Sequence, residues 1–383
     1  MFDSSAHMPF TLMNAQIVTL DGIVEGGLAV DGDKIAGLTN ARDGIDLRGQ
    51  FLIPGLVDIH TDHAERHVHP RLSVQWDFLP ALMAHDAVVI SGGTTTVFDS
   101  LSVGASIKHP ERREILIPMI EALAEGQHKH MFRAQHVLHL RCEISDPATA
   151  NLIDATIDHD LTKLVSVMDH TPGDRQNPDP EAWLNYMLRE LEVGESKGRA
   201  MMADLLIRAR EIGPKMRQHV IATAHSRGVP LMSHDDRDHN HITTALAEGI
   251  EISEFPTTIE AARAARAAGM IIVAGAPNYL RGGSQSGNVA VADLLAEGLV
   301  DIFASDYVPR SLLDAAFKLA AAPGQNMDLP QAVSLVSTTP ARLTGLADRG
   351  YLAEGMRADL VAVRLERGQP VVSAVWRAGH RVF

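Results

Sequence analysis

The first candidate metal ligands in this sequence lie in His60-Thr61-Asp62, which closes an apolar run that begins at Leu56. Side chains two positions apart on a strand share one face, so His60 and Asp62 can point at the same ion. Other apolar runs also end in residues of metal-binding type, namely Glu143, Asp169, His170, His234, Asp235, Asp236, Glu254 and Asp306. A mixture of imidazoles and carboxylates suits Zn, Mn, Fe or Ni better than an ion that takes only oxygen ligands.

A single carboxylate at a strand end is more often a helix N-cap or a loop anchor than a metal ligand. The repetition of such residues at most strand ends favours ligation, because buried charges are costly without a metal ion or an opposite charge. We therefore predict a site for one or two divalent metal ions. The predicted ligands are His60, Asp62, Glu143, His234 and Asp306, with Asp169, His170 and Glu254 as second choices.

Other residues of reactive type are predicted to have structural roles. Surface or hydrogen-bonded positions are expected for His63, His67, His69, His85 and His136. The single cysteine, Cys142, excludes an intramolecular disulfide and any site built from several thiolates. Because Cys142 alternates with Glu143 along a strand, it is predicted to be a buried, inert thiol that faces away from the metal site.

A second group of residues is suited to bind anions. A glycine-rich loop, Arg281–Asn288, is predicted between a strand and a helix, where backbone N–H groups can hold phosphate. Arginine side chains elsewhere could add contacts to phosphate oxygens, with surface salt bridges as the alternative. The predicted substrate contacts are Arg66, Arg71, Arg175, Arg281, Gly282, Gly283, Ser284, Gln285 and Asn288.

The elements that position these residues repeat as a strand followed by a helix, which predicts a parallel sheet. The apolar runs are Leu56–Asp62, Thr94–Leu101, Ala134–Glu143, Lys163–His170, Val229–Asp235, Ile250–Phe255, Met270–Asn278 and Val300–Tyr307. Eight such units predict an α/β fold of the (β/α)8 TIM-like barrel type, whose active site lies at the carboxyl ends of the strands.

The two ends of the chain have a different sequence pattern from the predicted barrel. Thr11–Leu38 and Leu360–Phe383 show short alternating strands with turn signals, so residues 1–52 and 351–383 are predicted to form one small β-sandwich domain. Residues 53–350 are assigned to the barrel. Within it, Asn177–Arg227 is too long for an ordinary crossover and is predicted to be a helical lid.

The overall composition limits the partners of this chain. A net charge of −14 argues against a general nucleic-acid surface, and no apolar run reaches the length of a membrane span. Its first basic residue is Lys34, so a secretory signal is not expected, and the protein is predicted to be cytoplasmic. Local arginine clusters could still bind a small polyanion, and a homo-oligomer is possible.

Two segments resemble the general signature of the amidohydrolase superfamily: Leu52–His60 near the start and Gly355–Val361 near the end. More specific segments resemble PhnM, the α-D-ribose 1-methylphosphonate 5-triphosphate diphosphatase family of the carbon–phosphorus lyase pathway. They are His60–Asp62, His139–Glu143, Met168–Gly173, Ser233–Asp236, Glu254–Thr258, Gly275–Asn278 and Ser305–Tyr307.

The resemblance implies a metal-dependent hydrolase of phosphonate catabolism that releases diphosphate and leaves the 5-phosphate. It implies attack of water on the α-phosphorus, with Asp306 taking the proton. Asp62 replaces the second histidine of the superfamily's usual first motif, as in this family, which implies harder, oxygen-richer coordination. Gln285 stands where the family pattern has histidine, and it is predicted to contact the polyphosphate rather than a metal ion.

Two other functions are considered. The first is an amidohydrolase that acts on a cyclic amide or an N-acyl substrate, since one fold hosts many activities. The second is a non-catalytic component of phosphonate uptake. Diphosphate release and metal analysis would separate all three functions.

Overall fold

Eight buried apolar segments form the parallel sheet that carries the candidate site. The computed structural model describes residues 8–71, 74–284, 286–323 and 327–383. In this part of the chain the parallel strands are β6 (Leu56–Thr61), β7 (Thr94–Val103), β8 (Gln135–Glu143), β9 (Thr162–Met168), β10 (Leu231–His234), β11 (Ile252–Glu254), β12 (Ile271–Gly275) and β13 (Ile302–Ala304). Every one of these strands is found at a predicted apolar run.

The sheet runs in sequence order from β6 to β13, and backbone contacts join its two ends. A parallel bridge connects Thr61 with Asp306. The amide of Asp62 donates to the carbonyl of Asp306 over 3.0 Å, and the amide of Asp306 donates to the carbonyl of His60 over 3.0 Å. These contacts make β13 the neighbour of β6, so the predicted barrel is confirmed.

Helices surround the barrel and follow most of its strands. Among the described residues they are α1 (Ala64–Val68), α2 (Phe78–Ser91), α3 (Arg112–His128), α4 (Thr149–Thr156), α5 (Pro180–Leu191), α6 (Glu195–Ser226), α7 (His239–Ala247), α8 (Ile259–Ala267), α9 (Ala276–Arg281), α10 (Val291–Ala296), α11 (Ser311–Ala321), α12 (Leu329–Ser334) and α13 (Thr338–Leu343). Within the described part of the chain, no helix is both long and apolar enough to cross a membrane.

The strands bury both faces, as parallel strands covered by helices must. Val97 and Leu101 of β7 pack in the large cluster between the sheet and the helices. Phe98, on the opposite face of β7, packs inside the barrel with Val137. Cys142 lies fully buried in the outer layer, as predicted, and burial raises the pKa of its thiol.

Both termini contribute to a second sheet, which confirms the predicted small β domain. Its strands are β1 (Phe10–Val18), β2 (Ile23–Asp31), β3 (Lys34–Thr39), β4 (Ile45–Asp46), β5 (Phe51–Pro54), β14 (Leu360–Glu366), β15 (Gln369–Arg377) and β16 (His380–Arg381). The antiparallel pairing of β14 with β5 joins the two termini. A separate apolar cluster that includes Leu12, Leu52 and Trp376 stabilises this sheet. We propose that residues 1–52 and 351–383 form this domain and that residues 53–350 form the barrel.

Candidate active site at the barrel mouth

The carboxyl ends of the barrel strands line one cavity of about 570 Å³. Five of the predicted metal ligands line this cavity, and they are Asp62, Glu143, His170, His234 and Asp306. His60 and Glu254 lie fully buried beside it. The residues therefore converge although they come from distant parts of the sequence.

Glu254 joins two histidines inside the barrel. Its Oε1 lies 2.6 Å from Nδ1 of His60, and its Oε2 lies 2.5 Å from Nδ1 of His234. We call these residues the mouth network. An ionised carboxylate can only accept hydrogen bonds, so both rings carry their proton on Nδ1 and leave a lone pair on Nε2. Although burial raises it, the contacts with His60 and His234 hold the pKa of Glu254 well below its usual range.

The mouth network leaves donor atoms that are suited to a metal ion. Nε2 of His60 is buried and has no hydrogen-bond partner within the described chain, and the same holds for Oδ1 of Asp62 and Oδ2 of Asp235. Orphaned polar atoms of this kind are costly unless a ligand satisfies them. The nitrogen and oxygen atoms present fit a divalent ion that accepts mixed ligands.

A second group of donors adjoins the mouth network. His170, His234 and Asp235 offer ligand atoms that all lie within 4.8 Å of one another. Nε2 of His234 lies 3.3 Å from Oδ2 of Asp235, and Nε2 of His170 lies 4.0 Å from the same oxygen. The other nitrogen of His170 lies 2.7 Å from Oε2 of Glu143, which orients the ring. Ser145 donates to the remaining oxygen of Glu143.

Asp306 and Asp62 form the acidic side of the mouth. Burial, together with the negative charge of Asp62, raises the pKa of Asp306 to about 7, against the opposing effects of Arg141 and His234. Nη1 of Arg141 lies 3.7 Å from Oδ2 of Asp62. No hydrogen bond to the side-chain carboxyl of Asp306 is found among the described residues, so this group is available to a ligand.

The backbone is strained where several of these side chains enter the mouth. Asp235, Phe255 and Asp306 have φ values of 56°, 55° and 54°, in the left-handed region that favours glycine. Each follows a barrel strand. Such strained positions collect at functional sites, where the surrounding structure holds them in place.

Asp169 has a local role. Its Oδ1 accepts hydrogen bonds from the amide and the hydroxyl of Thr171, so the carboxylate caps its own turn. Within the described residues it belongs to none of the groups with mutually close metal-binding atoms. For Asp169 the structure therefore favours the role of a loop anchor, which the sequence pattern indicated as the alternative to metal binding.

The arginines predicted to contact phosphate occupy different positions relative to the main cavity. Arg66 lines the main cavity and lies 5.8 Å over the ring of Tyr307. Arg71 is exposed and does not line that cavity. Nη1 of Arg175 donates to the carbonyl of His234 over 2.7 Å and to Asp236 over 2.9 Å. Because its buried guanidinium makes both of these hydrogen bonds, Arg175 stabilises the carboxyl end of β10.

The glycine-rich loop lies beside the mouth. Arg281, Ser284 and Asn288 line a neighbouring cavity of about 100 Å³, which shares Asp306 and Tyr307 with the main one. Helix α9 separates this loop from β12, and Gly282 ends that helix with a left-handed φ of 81°. Gly283 follows Gly282, and a Cβ atom added at Gly283 would meet no other atom within 4 Å. The predicted contact Gln285 lies outside the described residues.

Sequence reasoning missed several residues that face the mouth. His139 and Arg141 share the inner face of β8 with Glu143, a period of two that the sequence already contains. His139 lies between Ser100 and Ser166 at 3.0 and 2.9 Å, and burial holds its pKa well below the usual range. Further cations line the cavity, namely Lys108, Arg112, Arg113 and Arg208.

A second carboxylate–histidine network lies on the outer side of β7. Asp99 lies 2.8 Å from Nε2 of His85 and 2.7 Å from Nδ1 of His136. Nε2 of His136 lies 3.3 Å from Asp86, which also pairs with Arg133. We call His85, Asp99, His136 and Asp86 the wall network. Burial lowers the pKa of His136, but Asp99 and Asp86 outweigh it and raise that pKa to about 9.

Comparison with known proteins identifies the family. The sequence profile of the amidohydrolase family matches residues 124–383, which is more than half of the chain. The chain belongs to the amidohydrolase family. It is also 38% identical, over 97% of its length and 99% of the relative, to the Alpha-D-ribose 1-methylphosphonate 5-triphosphate diphosphatase of Escherichia coli (strain K12). The predicted membership of that diphosphatase family is confirmed.

More distant proteins are similar to this chain in sequence or in structure. An adenine deaminase from Desulfatibacillum aliphaticivorans is 24% identical over 92% of this chain and 54% of the relative. The dihydropyrimidinase structure from Brevibacillus agri NCHU1002 superposes with a TM-score of 0.60 at 15% identity, covering 98% of this chain and 95% of that one. The structure of a prolidase complexed with n-methylphosphonate-l-proline superposes with a TM-score of 0.62 at 15% identity, covering 98% of this chain and 99% of that one. At these identities the structures support the fold alone.

Proposed function

We propose that this amidohydrolase converts α-D-ribose 1-methylphosphonate 5-triphosphate to the 5-phosphate and diphosphate with the help of one or two divalent metal ions. The observation that carries the proposal is a cavity lined by several cationic side chains at the barrel mouth, with metal-binding atoms that lack a hydrogen-bond partner at or beside it, namely Oδ1 of Asp62 in its lining and Nε2 of His60 and Oδ2 of Asp235 next to it. A triphosphate needs both features, because phosphoryl transfer depends mainly on positioning and on stabilisation of negative charge. The near full-length match to the diphosphatase supplies the substrate class.

The proposed metal ligands are His60, His170, His234 and Asp235, with Asp62 on the acidic side of the mouth. Zn, Mn, Fe and Ni all suit this mixture of nitrogen and oxygen atoms. When bound, the ion would supply Lewis-acid stabilisation of phosphoryl oxygens and would make a bound water more acidic. Glu254 and Glu143 would not bind the ion themselves. Each contacts Nδ1 of a histidine, His60 for Glu254 and His170 for Glu143, and so fixes the orientation of that ring.

Asp306 is the proposed acceptor of the proton from the attacking water. Its carboxyl lines the cavity beside His234 and Asp62, and no described side chain occupies it with a hydrogen bond. Asp306 also has a left-handed φ of 54°, a strained backbone conformation of the kind that collects at functional sites. A positioned carboxylate of this kind contributes general-base catalysis.

The cations that line the cavity are proposed to hold the polyphosphate. Arg66 comes from α1, Lys108 from the loop after β7, Arg141 from β8 and Arg208 from α6. Arg112 lines the same cavity and pairs with Glu65 at 2.7 Å. Guanidinium groups match phosphate oxygens in geometry and charge, so they can bind the terminal phosphates as one leaving group.

Residues 177–227 are proposed to act as a lid. Trp183 and Tyr186 of α5 line the cavity, as do Leu205 and Arg208 of α6. Nζ of Lys108 lies 2.6 Å from the hydroxyl of Tyr186 and 4.7 Å from the centre of its ring, which joins α5 to the loop after β7. Hydrogen exchange should slow in this segment when a non-hydrolysable triphosphate analogue binds. Unchanged exchange at saturating analogue would contradict the lid.

A cytoplasmic location is part of this proposal, as is a small-molecule partner rather than nucleic acid.

Product analysis tests the proposed reaction. Chelator-treated protein, reloaded with Zn, Mn, Fe or Ni, should release diphosphate from the ribose triphosphate and should lose this activity when the metal is removed again. Dihydropyrimidines and N-acyl amino acids serve as rival substrates in the same preparation. Cleavage of a rival without diphosphate release would favour the cyclic-amide or N-acyl activity, and no turnover of any substrate by metal-loaded protein would favour a non-catalytic role.

A further inference from the structure

Three histidines gather on the outer side of the barrel, and one of them, His85, belongs to the wall network. His63, His67 and His85 offer ring nitrogens that all lie within 4.8 Å of one another. His63 and His67 lie at the two ends of α1, and His85 comes from α2. His85 is fully buried, whereas His63 and His67 are half-buried, so the group is open to solvent on one side.

The wall network fixes the ring of His85. Asp99 lies 2.8 Å from Nε2 of His85, and a carboxylate accepts the proton that this nitrogen carries. Nδ1 of His85 is therefore left with a lone pair. It faces Nδ1 of His63 at 3.3 Å. Metal-binding histidines show the same arrangement, in which a carboxylate holds one ring nitrogen and the other binds the ion.

The distance between the rings suits a tetrahedral ion. With Zn–N bonds of about 2.0–2.1 Å, two nitrogen ligands of a tetrahedral zinc lie roughly 3.3–3.4 Å apart. The observed separation of 3.3 Å between His63 and His85 matches this edge without any movement of the backbone. The ring of His67 packs against that of His63 with centroids 4.8 Å apart, and it offers a third nitrogen within 4.8 Å of the other two.

The neighbouring His136 is excluded as a ligand of this group. Its two ring nitrogens lie 2.7 Å from Asp99 and 3.3 Å from Asp86, so both are already committed to carboxylates. The wall network therefore serves as the support behind His85.

We propose that His63, His67 and His85 bind a divalent transition-metal ion at a site of their own, with water completing its coordination. The site is separate from the barrel mouth, because Asp99 and His85 lie on the helix side of β7, whereas Ser100 on the other face contacts His139 inside the barrel. Its ion would tie α1 to α2. Since His63 lies between Asp62 and α1, the ion would also anchor the chain just after β6.

Metal counting tests the proposal. The full-length protein is freed of metal with a chelator, dialysed against Zn²⁺ or Co²⁺ alone, and passed through a desalting column before the bound metal is measured. His67→Ala should bind one equivalent fewer than the natural chain. The exposed control His128→Ala should bind as much as the natural chain, and His234→Ala should keep the equivalent that His67→Ala loses.

A second measurement covers the case in which His67→Ala folds poorly. His67→Gln keeps the size and polarity of the side chain, and the Zn²⁺-induced rise in melting temperature should be smaller in this variant than in His128→Ala. Asp99→Asn should weaken Zn²⁺ binding at this site by about 10–100-fold. Equal metal content and equal Zn²⁺-induced shifts in His67→Gln and the natural chain would overturn the proposal and leave only a hydrogen bond between His63 and His85.

Discussion

In the mouth network Glu254 holds His60 and His234 at 2.6 and 2.5 Å, and in the wall network Asp99 holds His85 and His136 at 2.8 and 2.7 Å. Each carboxylate is fully buried and bridges two imidazoles. The difference lies in the remaining ring nitrogens. In the mouth network Nε2 of His60 has no partner within the described chain, whereas in the wall network Nε2 of His136 faces Asp86.

This comparison separates a binding arrangement from a supporting one. At the mouth, the uncommitted nitrogens adjoin further carboxylates, and the negative charge there favours a cation. At the wall, a protonated His136 between Asp99 and Asp86 balances charge internally, and Arg133 adds a further cation at the surface. His85 is the exception, since its second nitrogen points to His63 instead of a carboxylate.

The strongest test of the comparison removes a histidine from the mouth network. His234→Ala should lower both bound metal and turnover, because this ring contributes to both groups of donor atoms at the mouth. Loss of metal-ion stabilisation of about 4 kcal/mol corresponds to a roughly thousand-fold fall in kcat. Metal analysis and a diphosphate assay measure the two effects. His239→Ala, an exposed residue at the start of α7, is the matched control and should match the natural chain. Full metal content in His234→Ala would contradict the assignment.

A smaller effect is expected when the bridging carboxylate is changed. Glu254→Gln keeps the shape of the side chain but can no longer accept a proton-bearing Nδ1 at both ends, so the two rings lose their fixed orientation. Metal affinity or kcat should fall by about 10–100-fold. Glu251→Gln, at an exposed position just before β11, provides the control. If Glu254 were a direct ligand instead, the loss of metal would equal that of His234→Ala.

The wall network should respond to pH through stability. The folded-state pKa of His136 is raised to about 9 from an ordinary 6.5, so its contribution to stability is complete below pH 6.5 and is lost as the pH rises through 9. Asp86, Asp99 and the half-exposed Arg133 are the charged groups that face this network. The free energy of unfolding of the natural chain should therefore decline over this pH range.

Replacing His136 should remove that pH dependence. His136→Gln leaves buried carboxylates without their cation and should cost about 3–5 kcal/mol at pH 6. The difference between variant and natural chain should shrink towards pH 10, as denaturant unfolding at several pH values would show. His128→Gln should follow the natural chain throughout. A constant difference at every pH would mean that His136 is neutral in the folded protein.

The barrel could be predicted from sequence because its strands are buried on both faces and appear as continuous apolar runs that end in polar residues. The terminal sheet could be predicted because neither end of the chain can form a core alone. Helix α9 was not separated from its strand, since Met270–Asn278 stays apolar across the junction between β12 and the helix.

The roles of individual residues were harder to predict, because they depend on contacts between distant parts of the chain. Glu254 lies 194 residues from His60 in sequence, and Arg175 lies 61 residues from Asp236. Strand periodicity favours Asp236 as the partner of His234, but the left-handed backbone at Asp235 brings that carboxylate to 3.3 Å from His234 instead. No local pattern of residues indicates such a turn of the backbone.

Hydrolysis in oxygen-18 water tests the central claim most directly, because a triphosphate ester offers water three phosphorus atoms. If the mouth holds the metal and the cationic side chains hold the terminal phosphates, water attacks the α-phosphorus and diphosphate leaves intact. Mass spectrometry should then find the label in the ribose 5-phosphate product and none in diphosphate. Label in diphosphate, or release of orthophosphate alone, would contradict this account.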